Sequence, residues 1–129
     1  MERVRNNTEW YQPMAVNLRP SQALRLWQGV CLSEVNAGMP DLSHRQLAIL
    51  LTVYLDPPPH TVRGLAAALN VTKPVVTRAL DTMGTLKLVS RHRDEEDRRN
   101  VLVKRTIEGA LFLERFGDVI IAKAKELPI

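Results

Sequence analysis

The chain has 129 residues, 45% of them hydrophobic, with 18 Lys and Arg against 14 Asp and Glu, a formal net charge of +4. That length fits one ordinary domain with a core large enough to need no metal or disulfide, and a lone Cys31 cannot form an internal disulfide. The longest apolar run, Leu47 to Leu55, has nine residues where a membrane span needs about 20, so a soluble, cytoplasmic protein is expected.

In chain order, residues 1–20 are polar, contain Pro13 and Pro20, and show no period; they read as an extended arm anchored by Trp10 and Tyr11. A single domain over 21–129 follows. Leu24, Trp27, Cys31 and Val35 recur at three- and four-residue steps and predict a helix over 21–36, stopped by Gly38 and Pro40. A second helix is predicted from Ser43 to Leu55, with Leu47, Leu50, Leu51 and Tyr54 on its apolar side. Three prolines at 57–59 remove three backbone donors and make a stiff connector.

Thr61 is placed to cap a short helix over 62–69, which turns Leu65, Ala66 and Leu69 inward; Gly64 and Ala66 to Ala68 are small enough for close helix contact. Asn70 tolerates the left-handed conformation in which a helix can end, and Thr72 is positioned to cap a helix running to about Leu86. From Leu88 the periodicity changes. The β-rich runs LVSRHR and RNVLVKR flank a charged turn and predict a hairpin. Thr106 then caps a last helix with Ala110, Leu113, Phe116, Val119 and Ile120 as its apolar stripe.

The expected fold class is therefore mainly α with a small β-hairpin wing, a winged helix-turn-helix. In such a module the second helix of the turn motif enters the major groove of DNA. The charge distribution agrees. Residues 1–59 hold five basic and five acidic side chains, residues 60–106 hold ten and five, and residues 107–129 hold three and four. The whole excess of positive charge lies on the helix-turn-helix and hairpin, where an anionic partner would bind.

From Leu42 to Leu113 the chain resembles the MarR family of bacterial transcription regulators. The wing signature carries the likeness: Asp97-Arg98-Arg99, six residues, Thr106, two residues, Gly109. Upstream, Val76, Arg78 and Met83 fit, as does Leu88-Val89 with seven residues before Asp97. The resemblance implies a homodimer on pseudo-palindromic double-stranded DNA, with a DNA-binding lobe at about 42–106 and dimerisation helices at about 21–37 and 107–127. It implies DNA contacts from Thr72, Lys73, Val75, Thr77 and Arg78 on the recognition helix, and from Arg91, Arg98 and Arg99 at the wing. Asp97 is expected to brace a neighbouring arginine, because a carboxylate beside phosphate is repelled.

Four positions depart from the family pattern. Pro74 and Val75 stand where Ser and Thr are common, Lys87 where Gly is usual, and Gly84 where Glu is common. Only 23 residues follow Thr106, which leaves little room for the long C-terminal helices of the usual family dimer.

Three functional readings result. The first is a dimeric transcription regulator, most often a repressor in the family resembled. The second is a winged-helix protein-interaction or assembly module, favoured by the apolar Pro74, Val75 and Val76 at the start of the recognition helix. The third, by resemblance alone, is a regulator answering to a small apolar or phenolic effector held between the dimer and DNA lobes. His44, His60 and His92 are scattered without metal-ligand spacing, and nucleophile-elbow, phosphate-loop and HExxH motifs are lacking; no metal, no cofactor and no enzyme activity are expected. Cys31 reads as a buried packing thiol, with peroxide sensing as the alternative that one branch of similar regulators suggests.

Overall fold

A computed structural model describes residues 16–128. The aromatic anchors Trp10 and Tyr11 and most of the expected arm lie outside the described residues. The elements are α1 (Pro20–Asn36), α2 (His44–Leu55), β1 (His60–Thr61), α3 (Val62–Leu69), α4 (Lys73–Thr85), β2 (Val89–Arg93), β3 (Val101–Arg105) and α5 (Ile107–Lys125). No described helix is long and apolar enough to cross a membrane.

The helix starts follow from local chemistry. At α2 the Ser43 hydroxyl accepts from the Gln46 amide at 3.1 Å while Gln46 returns its side-chain oxygen to the Ser43 N–H at 2.8 Å, a reciprocal cap. Thr61 accepts from the Gly64 amide, and Thr106 accepts from the Gly109 amide, both at 2.9 Å. The α3 helix ends at Asn70, which takes the left-handed conformation (φ 57°, ψ 48°). Three residues then connect it to α4.

The core of the lower lobe is built by α2, α3, α4 and the sheet. Ile49, Leu50, Val53, Val76, Leu80 and Met83 are fully buried, and burying each such side chain contributes about 1.5–3 kcal/mol. The α2 stripe is rotated from the expected one: Ile49 and Val53 join Leu50 inside, while Leu47, Leu51 and Tyr54 are only half-buried. This helix packs on two sides, against the α4 and β3 layer and toward α1 and α5, so a single-face period could not describe it. In α3, Val62, Leu65 and Ala66 are buried, whereas Gly64, Ala67 and Ala68, expected at a helix contact, are exposed.

The sheet has three strands in the order β1-β3-β2, all antiparallel. The hairpin of β2 and β3 was expected; β1 was not. Its two residues pair His60 with Val103 and Thr61 with Leu102, which stitches the proline connector to the wing.

The upper lobe consists of α1 packed on α5. The start of α1 meets the end of α5, where the Gln22 side-chain Nε2 donates to the Pro128 carbonyl at 2.9 Å. Further along, Arg115 donates to Glu34 at 2.5 Å. Only Val30 of α1 is buried. The periodic stripe read from the sequence points outward: Leu24 is 72% exposed, Val35 75% and Trp27 42%. Cys31, expected to be buried, is exposed as well. The periodicity was real, but the surface it serves is not the interior of this protomer.

Candidate nucleic-acid interface

Helix α4, the recognition helix expected from the sequence, begins with Thr72 in the cap position, yet the Thr72 hydroxyl makes no cap hydrogen bond. The reason is Pro74. It occupies the second helical position and has no N–H, and the next amide, of Val75, donates to the Thr72 carbonyl at 3.1 Å. The hydroxyl therefore has no amide within the helix to accept from. It sits exposed beside the positive end of the helix dipole, available to an anion.

Along α4 the inward positions are Val76, Ala79, Leu80 and Met83. Lys73, Pro74, Thr77 and Arg78 are exposed with Thr72, and Val75 is half-buried. The apolar triplet at 74–76 is thus not a surface patch, because Val76 is completely buried and belongs to the core.

The wing meets α4 through one ion pair. Arg91 on β2 donates from Nη2 to Asp81 on α4 at 2.7 Å. Arg91 is therefore fastened to α4, and Asp81, which the sequence reading passed over, is its partner. At the wing tip Arg99 forks onto Asp97, Nε to Oδ1 at 3.0 Å and Nη2 to Oδ2 at 3.1 Å. The Arg99 side-chain hydrogen bonds hold the Asp97 carboxyl below its ordinary value of 3.8, with a smaller contribution from the charge of Arg63. The same contact raises the Arg99 guanidinium. Arg93 donates to the Arg98 carbonyl at 2.8 Å, which folds the loop back on β2. The Arg98 side chain is exposed and forms no ion pair among the described residues.

A polar hub at the base of the wing was also missed. Tyr54 accepts from the Thr106 N–H at 2.9 Å and lies 2.8 Å from the Leu88 carbonyl, to which it donates. The Thr106 hydroxyl donates to the Lys87 carbonyl at 2.7 Å. Gly109 is required beside it: a Cβ there would lie 1.9 Å from the Tyr54 hydroxyl and 2.2 Å from the Leu88 carbonyl oxygen. Together these residues fix the end of α4, the start of β2 and the start of α5 to α2. They give a physical reason for the Thr106 and Gly109 positions of the wing signature. Lys87, between α4 and β2, has φ 63°, and the amides of Lys87 and Leu88 donate back to Gly84 and Met83, the helix ending that ordinarily favours glycine.

The MarR family model matches residues 38–100, which span the helix-turn-helix and the wing tip. Over that segment, just under half of its length, the chain is similar to the MarR family. Solved structures agree on the fold. A point mutant of S. aureus MepR is 22% identical, with 84% of this chain and 81% of that one covered and a TM-score of 0.65. The transcriptional repressor CouR bound to a 23-mer DNA duplex is 21% identical over 82% of this chain and 72% of that one, TM-score 0.65. The S. aureus MepR-DNA complex is 22% identical over 82% and 77%, TM-score 0.60. No curated protein sequence matches the chain.

Proposed function

We propose that this protein is a MarR-family, sequence-specific double-stranded DNA-binding transcription regulator, a homodimeric repressor acting at pseudo-palindromic operators. The observation that carries the reading is the exposed row Thr72, Lys73, Thr77 and Arg78 on α4, flanked by the wing arginines, on a fold that MepR and CouR present to DNA. In this reading α4 enters the major groove, the amides and hydroxyl at its start hold a phosphate, and Arg98 and Arg99 reach the adjacent minor groove. Asp97 aims Arg99 and limits its unspecific attraction to phosphate. Arg91 positions the wing through Asp81.

Dimerisation is supported by the outward stripe of α1 and by Ile107, Leu111 and Ile121 of α5, each more than half exposed. Apolar surface of this kind marks an interface. Two copies joined there place their recognition helices in successive major grooves, about 10–10.5 base pairs apart, and repress by occlusion. A cavity of about 150 Å³ bordered by Trp27, Leu42, Phe112 and Phe116 lies between the two lobes, where the resemblance places an effector. The burial of Val76 removes the main support for a protein-interaction module. Fluorescence anisotropy on a random duplex at low salt tests the reading: binding that weakens steeply with added salt is expected, and no binding overturns it.

A further inference from the structure

We infer that a second, separate ligand site lies behind the wing, between the proline connector and β3, and that it takes a small hydrophobic carboxylic acid. A cavity of about 330 Å³ opens there, at the lower end of the volumes that hold small molecules. Its floor is Val53 of α2 and Val103 of β3, both buried, and its walls are Pro58, Pro59 and Leu102. These are rigid, apolar surfaces. The rim is cationic or neutral: His60, Lys104 and Arg105 border it and no carboxylate does.

Arg105 supplies the strongest argument for an anion. Its Nε donates to the Val53 carbonyl at 2.9 Å and its Nη2 to the Asp56 carbonyl at 3.1 Å, and its guanidinium lies 5.9 Å from the centre of the Tyr54 ring. The group is held in place by neutral partners only. Among the described residues neither it nor Lys104 forms an ion pair. Among the described residues Nη1 has no protein hydrogen-bond partner, and exposed Arg105 borders the apolar cavity. A carboxylate accepting from Nη1, with its hydrocarbon body between the prolines and Leu102, satisfies both requirements; charge-assisted bonds of this kind are about twice as strong as neutral ones. The His60 Nε2 lies 3.1 Å from the Asp56 carbonyl. The site is distinct from the exposed face of α4 and does not depend on DNA binding.

Titration of the full ¹⁵N-labelled protein with benzoate, followed by amide shifts, tests the proposal. Saturable shifts confined to the connector, Val53 and Leu102–Arg105 are expected. Benzamide, the uncharged isostere, is expected to bind at least about tenfold more weakly, a difference of ~1.4 kcal/mol. Leu102→Trp fills the cavity and abolishes the benzoate shifts while leaving the remaining spectrum folded. Three results overturn the inference: no saturable shifts, shifts centred elsewhere such as at Trp27 and Phe116, or equal binding of benzamide. The comparison of the two probes on the unaltered protein decides the matter even if Leu102→Trp fails to fold.

Discussion

Gly109→Ala is the substitution that most sharply tests how the wing is tied to the helical lobes. The new methyl carbon meets the Tyr54 hydroxyl at 1.9 Å and the Leu88 carbonyl oxygen at 2.2 Å. Moving Tyr54 aside breaks its bonds to the Thr106 N–H and the Leu88 carbonyl, a loss of about 1 kcal/mol each, with a further ~1 kcal/mol or more for the part-buried amide left unpaired. The Leu88 carbonyl is harder to displace. Its residue is 4% exposed and its amide is bound to the Met83 carbonyl at 2.9 Å, so the clash adds roughly 1–3 kcal/mol of overpacking strain. Alanine returns about 1 kcal/mol through its higher helix propensity. The net expectation is a loss of about 3–5 kcal/mol, a large share of the roughly 5–15 kcal/mol typical of a domain. Urea unfolding followed by circular dichroism measures it. A Tyr54→Phe background removes the hydroxyl contact and leaves the ring carbon Cζ at 2.8 Å and the Leu88 carbonyl, so adding Gly109→Ala should cost less there than in the parent protein but not nothing. A Gly109→Ala protein within about 0.5 kcal/mol of the parent would refute the reasoning, since surface changes that touch nothing have effects of that size.

Other consequences are equally measurable. Lys87→Gly should raise stability in the same urea experiment by about 0.5 kcal/mol, because relief of the positive φ exceeds the extra entropy glycine gives the unfolded chain; a loss of stability would contradict the strain. Replacing Arg98 and Arg99 together by Ala should weaken binding to all DNA sequences and lower the salt slope by about 1–2, and an unchanged slope would take the wing out of the contact surface. The depressed carboxyl of Asp97 makes its pairing with Arg99 a favourable contribution that is present above pH 3.8 and lost as pH falls through the lower folded value. Carboxyl ¹³C titration should place the midpoint below 3.8, and Arg99→Ala should move it back up; a midpoint unmoved by Arg99→Ala would rule that pairing out in solution. Leu24→Glu combined with Val35→Glu should convert the proposed dimer to a monomer in analytical ultracentrifugation, and an unchanged sedimentation profile would move the interface off this stripe.

Local rules made most of the fold legible. Ser43, Thr61, Asn70 and Thr106 mark helix boundaries by chemistry that acts over three or four residues, and the structure places each at the boundary it implies. The two-residue β1 has no period to read and exists because β3 offers it an edge. The outward stripe of α1 has the same periodicity as a core-facing one; periodicity identifies an apolar face without saying what covers it. Tyr54 was read as one more apolar residue, although a hydroxyl at a half-buried position needs a partner, and that requirement was the available signal for the hub. Thr72 stands at the cap position without a cap bond, because Pro74 has no amide and the Val75 amide donates to the Thr72 carbonyl instead. The Asp81 and Arg91 pair is a contact between two elements and left no mark in either segment.

Selection of genomic DNA fragments by the purified protein tests the central claim most directly. Enrichment of one inverted repeat with half-sites about 10–10.5 base pairs apart is expected, lost with Arg78→Ala and with the wing double substitution. Fragments recovered with no shared repeat, or no fragments recovered at low salt, would contradict it.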